Sequence, residues 1–304
     1  MPSQQPLFQL SLLALAAAIS HFIFNVRDNK QLLIKPCSYL DLKEMLDNHF
    51  KDNFGFEHSE FDEIHAALKL PELIKTNVQD TEDSHTALLM LLGYLRGRTL
   101  RGLESQFGWS KSRISRVRSE VANQLLTKWG HLLDVHHNTL LSKQCLKSTP
   151  DGLIFAQGPW DGSENNWSVW TKSGVADWLQ NSSFTKDNRT LYLFGDKGYH
   201  LDHHLIVPYK GNNMKPKETW FNVIMSKYRI TVEWAIGLVS VLFPWLNNKQ
   251  QQKFLLMPVA NNYLIGVILW NALSCLKGNT TSQYFDLPSL DMYFRENVQS
   301  SAAA

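Results

Sequence analysis

Two carboxylates sit where metal-assisted chemistry could use them. Asp196 follows the apolar run Leu191–Phe194 and stands in the stretch Gly195-Asp196-Lys197-Gly198-Tyr199. A short apolar run of this kind reads as a strand buried on both faces, which puts Asp196 just past its end. The glycine two residues on lets another group come close. Glu233 lies in Arg229-Ile230-Thr231-Val232-Glu233-Trp234, inside a helical pattern running from Lys217 to about Leu242. Val232, Ile236 and Val239 recur at helical spacing and make the expected buried stripe, and Gly237 leaves room one turn beyond Glu233. A strand-end Asp and a helix-borne Glu facing each other across a helix–sheet gap can share a divalent cation. The plainer alternative is an Arg229–Glu233 ion pair four residues apart on a helix surface, and spacing alone favours it.

A second constellation is basic. Lys111, Arg113, Arg116 and Arg118 crowd the first two turns of a helix expected from Ser110 to Trp129, with Arg96, Arg98 and Arg101 just upstream. Ser110 can cap that helix, and Ile114, Val117, Val121 and Leu125 form its apolar stripe. A short helix, Leu100 to Phe107, precedes it, with the break at Gly108-Trp109. Short helix, glycine turn and longer basic helix is the order of a helix-turn-helix, in which the second helix meets a DNA groove and neutralises phosphates. The alternative is a solvated helix face in an ordinary bundle.

The elements that must position these residues follow from the rest of the chain. With 304 residues, 44% hydrophobic and 19% charged, the composition is that of a globular protein with a sizeable core. A net charge of +2 implies no nucleic-acid binding by itself, so only local clustering can argue it. Cys37, Cys145 and Cys275 are far apart and read as reduced thiols. Leu7 to Phe24 is nearly all apolar, but no basic residue precedes it and it carries Gln9, Ser11, Ser20 and His21. It reads as a buried helix, and no membrane association is expected. Asp41 to Phe50, Ser59 to Leu68 (stopped by Pro71) and Ser84 to Leu95 read as helices, with a turn at Phe54-Gly55-Phe56. Gln144 to Gln157 reads as a hairpin turning at Pro150-Asp151-Gly152, Val169 to Leu179 as a helix and Leu205 to Tyr209 as a strand. The domains expected are a helical region, 1–131, and a mixed α/β region, 143–295. The adjacent pairs His136-His137 and His203-His204 do not share a helical face, and Trp160, Trp167, Trp170 and Trp178 read as packing residues.

Five ordered motifs carry a family resemblance. Thr149-Pro150-Asp151-Gly152-Leu153-Ile154, Gly158-Pro159-x-x-Gly162, Ser173-Gly174-Val175, Gly195-Asp196-x-Gly198-Tyr199 and Arg229-x-x-Val232-Glu233-Trp234-x-x-Gly237 together resemble the DDE nuclease domain of Harbinger-type transposases. Phe107-Gly108-Trp109-Ser110 and the helices around it resemble the region preceding that domain. The resemblance runs from about Phe54 to Arg295. It implies an α/β fold: a helical region with a helix-turn-helix, followed by a ribonuclease-H-like domain whose mixed sheet is flanked by helices. In that family two Asp and one Glu hold Mg2+ or Mn2+ for DNA cleavage and strand transfer. Asp196 corresponds to the second Asp and Glu233 to the Glu. The partner implied is double-stranded DNA, with an accessory DNA-binding protein possible, and the location implied is the nucleus.

The first Asp of the family stands in an Asp-Gly-Thr context on the opening strand, and no such motif occurs between Trp129 and Gln144. Asp134 lies in that connector without the following Gly-Thr. Glu164-Asn165-Asn166 stands where many relatives have a His-Asp pair, and amides carry no charge for a metal. The ribonuclease-H-like domain is therefore expected to be incomplete. Either the hairpin closes onto Leu191–Phe194 or that half is loosely ordered. Two functions remain open: an impaired metal-dependent endonuclease, or a non-catalytic relic that binds DNA or a partner through Lys111 to Arg118.

Overall fold

Most helix starts in the first half are set by side chains that satisfy the unpaired backbone groups there. The computed structural model describes residues 44–133, 160, 163–182, 192–248, 258–277 and 289–295. The apolar stretch Leu7 to Phe24, Cys37, Asp134, His136-His137 and the expected hairpin with Cys145 lie outside them. Helix α1 (Asp47–Phe54) starts six residues after the expected Asp41 and ends at Gly55, whose φ of 91° lets its N–H donate to Lys51 O. Helix α2 (His58–Leu68) is opened by a reciprocal box between Glu57 and Glu60 and not by Ser59. Two three-residue strands follow, β1 (Leu73–Lys75) and β2 (Thr81–Asp83), antiparallel with Ile74 opposite Glu82. This hairpin was not expected, because three residues are too few to display an alternation.

Asp83 then caps α3 (Ser84–Leu95), accepting from Thr86 N, and the helix spans the residues its leucine spacing implies. It is buried all round from Ala87 to Leu95, which makes it the central helix of the body. Thr99 caps α4 (Leu100–Phe107), Gly108 turns the chain at φ 70°, and Ser110 caps α5 (Lys111–Trp129). Ile114, Val117, Val121 and Leu125 are all buried, as their spacing requires. The Trp129 indole donates to Leu68 O at 2.9 Å and its ring meets Phe294 edge-on.

The same core takes in residues from the far end of the chain. Val239, Phe243 and Trp245 pack into it, as do Ile265, Val267, Ile268, Leu269 and Ala272 of α9 (Val259–Lys277). By length and composition α9 could cross a bilayer, but more than half of its most apolar window is buried inside the protein. The short α10 (Leu290–Tyr293) closes the core over α2 and α9.

A smaller cluster, Trp170, Val175, Leu179 and Leu205, holds the remaining elements. The helix expected from Val169 to Leu179 is two helices, α6 (Asn166–Lys172) and α7 (Val175–Ser182), because Gly174 breaks the run at φ 67°. Strands β3 (Leu193–Phe194) and β4 (Leu205–Ile206) pair in parallel, with Leu193 opposite Leu205. Burial of β3 on both faces is not observed: Leu193 and Phe194 are 42% and 48% exposed. Among the described residues β3 has β4 alone as a strand neighbour, so its other flank lacks the cover a central strand would have. The long α8 (Pro216–Leu242) begins with Pro at its first position and ends at Phe243. It rests on the turn Pro244–Asn247 and on α9. Val239 is accordingly buried, whereas Ile236 is exposed, contrary to the stripe expected. The side chain of Val232 lies outside the described ones. The described residues are mostly helical with two small sheets, compatible with an α/β class.

Candidate functional site

Asp196 stands two residues past Phe194, the last residue paired in the β3/β4 ladder. Gly195 N still donates to Ile206 O at 2.8 Å, and the chain then turns, with Tyr199 N donating to Asp196 O. The Asp196 carboxylate is exposed and accepts from Lys197 N at 2.6 Å. Two glycines make the position possible. A Cβ on Gly195 would come within 3.1 Å of Leu205, and one on Gly198 would overlap the side-chain amide of Asn166. The Asn165-Asn166 pair is thereby brought to the Asp196 turn. Asn165 caps α6 by accepting from Ser168 N, and Glu164 is held by Ser168 and Lys172. The bond from Lys172 keeps the Glu164 carboxyl below its usual range. Asp202 is held likewise, lowered chiefly by the Trp170 indole, which donates to it at 2.7 Å. Trp167 sets its ring edge-on to His200. These contacts fasten the turn following β3 to the first turn of α6.

Glu233 is exposed in the middle of α8, and nothing lies within 4 Å of a Cβ built on Gly237, so the expected space is there. The Arg229 side chain is outside the described ones, which leaves the ion-pair alternative open. The first half of α8 is tied to the exit of β4. Tyr209 N donates to Asn222 Oδ1 at 2.9 Å, Asn222 Nδ2 donates back to Tyr209 O at 3.1 Å, and Phe221 meets the Tyr209 ring. Lys210 reaches Tyr199 O at 3.4 Å. Asp196 and Glu233 thus belong to two elements joined through the Tyr199–Tyr209 segment. Among the described residues no three of His, Cys, Asp and Glu come together to hold a metal, and His203 and His204 join no such group.

Residues 134–271 match the family model of the DDE superfamily endonucleases. The match spans Asp196, Glu233 and the connector with Asp134. It supports kinship with transposase-derived nucleases, a superfamily that implies a ribonuclease-H-like fold, DNA as substrate and divalent metal as cofactor. No curated protein and no solved structure is significantly similar to the chain.

The basic helix α5 precedes the DDE endonuclease match. Lys111 pairs with Glu104 at 3.7 Å. Arg113 stacks 3.7 Å over the Trp109 ring and donates to Thr81 O at 2.7 Å and to Glu82 at 3.3 Å. Arg116 donates to Asp80 at 2.7 Å. Arg118 does not face solvent at all: it is 4% exposed and lies 3.8 Å over the Tyr94 ring, where burial lowers its pKa. The reason is helical phase, since Arg118 follows Val117 and precedes Val121 and Ala122 by about one turn. Arg96 is likewise engaged, with backbone carbonyls of Asp52 and Leu242. The acidic partners Asp80 and Glu82 were not foreseen. They lie some thirty residues upstream, and only the β1/β2 hairpin brings them to α5. The Arg116 bond lowers the Asp80 carboxyl, whereas burial raises that of Glu82 despite Arg113.

Proposed function

We propose that this chain is a Harbinger-type, transposase-derived protein of the nucleus whose nuclease site is reduced to Asp196 and Glu233, and which acts by holding duplex DNA. The observation that carries the descent is the match to DDE superfamily endonucleases over the segment containing both carboxylates. Asp196 at the end of a parallel strand, exposed beside Gly198, is consistent with a former metal ligand. Were a Mg2+ or Mn2+ ion bound, Asp196 and Glu233 would be its ligands, and its chemistry would be activation of a water or 3'-hydroxyl. With two carboxylates the ion would be weakly held. The DNA-facing surface proposed is α5 with the α4–α5 turn, through Lys111, Arg113 and Arg116. Arg118 is withdrawn from it by burial.

The test is cleavage and strand transfer on a labelled duplex with Mn2+, comparing the chain with Asp196→Ala and Glu233→Ala. No cleavage by any of the three is expected. Cleavage that both substitutions abolish would refute the impaired site. A gel shift of the same duplex should weaken in Lys111→Ala, with a shallower salt dependence. An unchanged shift would refute the DNA surface.

A further inference from the structure

Two of the guanidinium groups on α5 are already taken from within the chain. Arg113 and Arg116 are three residues apart and share one side of the helix. Asp80, just before β2, and Glu82, within it, are two apart, so the extended backbone carries both carboxylates on one side, about 7 Å along the strand. Asp80 accepts from Arg116 at 2.7 Å. Thr81 O and Glu82 accept from Arg113 at 2.7 Å and 3.3 Å. A guanidinium fork fits a carboxylate and a phosphate alike. Two acidic side chains in a row thus fill the places that neighbouring phosphates of one DNA strand would take.

The hairpin that carries them is built to move at its tip. Ile74 is the one buried apolar side chain of β1 and β2, and it lies at the base, away from the turn. The turn itself is closed by its own bonds and not by the core. Thr76 N donates to Asp80 O at 2.9 Å, Asp80 N donates to Thr76 Oγ1 at 3.2 Å, and Gln79 takes a left-handed φ of 64°. Val78, at the tip, is 65% exposed. Asp80 can therefore leave Arg116 while Ile74 and the helical core stay in place. The pair it would break is partly open to water, and such pairs hold weakly. Glu82, 8% exposed, is the deeper of the two, and burial disfavours its charge.

We propose that the β1/β2 hairpin is an autoinhibitory contact, whose carboxylates occupy Arg113 and Arg116 in the free chain and are displaced when the backbone of duplex DNA binds α5. This rests on α5 as the DNA-facing surface, and Lys111, which pairs with Glu104 on α4 and not with the hairpin, reports on that surface separately. Fluorescence anisotropy on a random-sequence duplex compares the full chain with Asp80→Asn, Arg116→Ala and the two combined. Asp80→Asn should tighten binding, and its advantage should grow by about threefold between about 200 and about 50 mM salt, as one further phosphate contact requires. Made in the Arg116→Ala background, the same substitution should leave the salt slope as it was. Asp291→Asn, which removes an exposed charge on α10 near the opposite end of α5, should also leave the parent's slope unchanged. Circular dichroism checks that each variant is folded. A slope that steepens even without Arg116 would overturn the inhibitory contact. So would a slope indifferent to Asp80→Asn while Lys111→Ala still weakens binding, and the DNA surface would then stand. If Lys111→Ala and Asp80→Asn both leave binding unchanged, surface and contact fall together.

Discussion

Neutralising the acidic hairpin that clamps α5 should strengthen DNA binding, and the change in salt dependence can be worked out beforehand. Asp80→Asn and Glu82→Gln together remove two negative charges, taking the net charge from +2 to +4 (2 + 2). They also release Arg116 and Arg113 from carboxylates at 2.7 Å and 3.3 Å. The folding cost is small. The Asp80–Arg116 pair is partly exposed and such pairs contribute roughly 0.2–1 kcal/mol. Glu82 is held in a site that disfavours its charge, and a Gln there can still accept from Arg113. Each guanidinium that reaches a phosphate steepens the plot of log affinity against log salt by about 0.9, so two give about 1.8. Between about 200 and about 50 mM salt, the advantage of the double variant over the parent should therefore grow by about tenfold. Fluorescence anisotropy on a random-sequence duplex across that range reads the slope directly. A slope identical to the parent's would refute the reasoning, because it would mean that phosphates never meet this face of α5.

Other outcomes follow from single residues. Burial, and then the neighbouring His85, hold the His65 pKa below its usual 6.5, so protonation favours the unfolded chain. Stability should be full above about pH 6.5 and fall as pH drops toward the lowered value, and His65→Gln should flatten that fall in urea titrations at pH 7 and pH 5. Trp129→Phe removes the donor to Leu68 O and part of a fully buried ring, and should cost about 2–4 kcal/mol in chemical denaturation. Gly198→Ala should displace Asn166 and change the environment of Trp167 in fluorescence. Gly237→Ala, which meets open space in a helix, should leave it unchanged and stabilise the chain by about 0.5–1 kcal/mol.

The parts of the fold readable in the sequence are those governed by local chemistry. Ser84 to Leu95, Leu100 to Phe107 and the Ser110-capped helix stand where spacing and caps put them, because each is an amphipathic or apolar helix with its own stop signal. The β1/β2 hairpin escaped because its alternation involves one buried residue per strand, Ile74 and Glu82. Its consequence, the capture of Arg113 and Arg116, depends on a long-range contact that no local pattern encodes. Charge and the helix-turn-helix order assign Arg118 to a groove, although its phase on α5 sets it beside the apolar stripe. At the carboxylates the sequence located the strand end and the helix correctly. It misjudged their surroundings, since burial of Leu193, Phe194 and Ile236 depends on neighbouring layers and not on the residues themselves.

Arg96 donates to Leu242 O at 2.8 Å and to Asp52 O at 3.3 Å, and so rivets the end of α8 to α1 and α3. The helix that bears Glu233 is thus anchored by the helical body at one end, independently of any strand at the other. A lineage that lost sheet strands would keep this helix in place as a passenger of the body. The carboxylate would then outlast its own chemistry, preserved by an attachment that has nothing to do with cutting DNA.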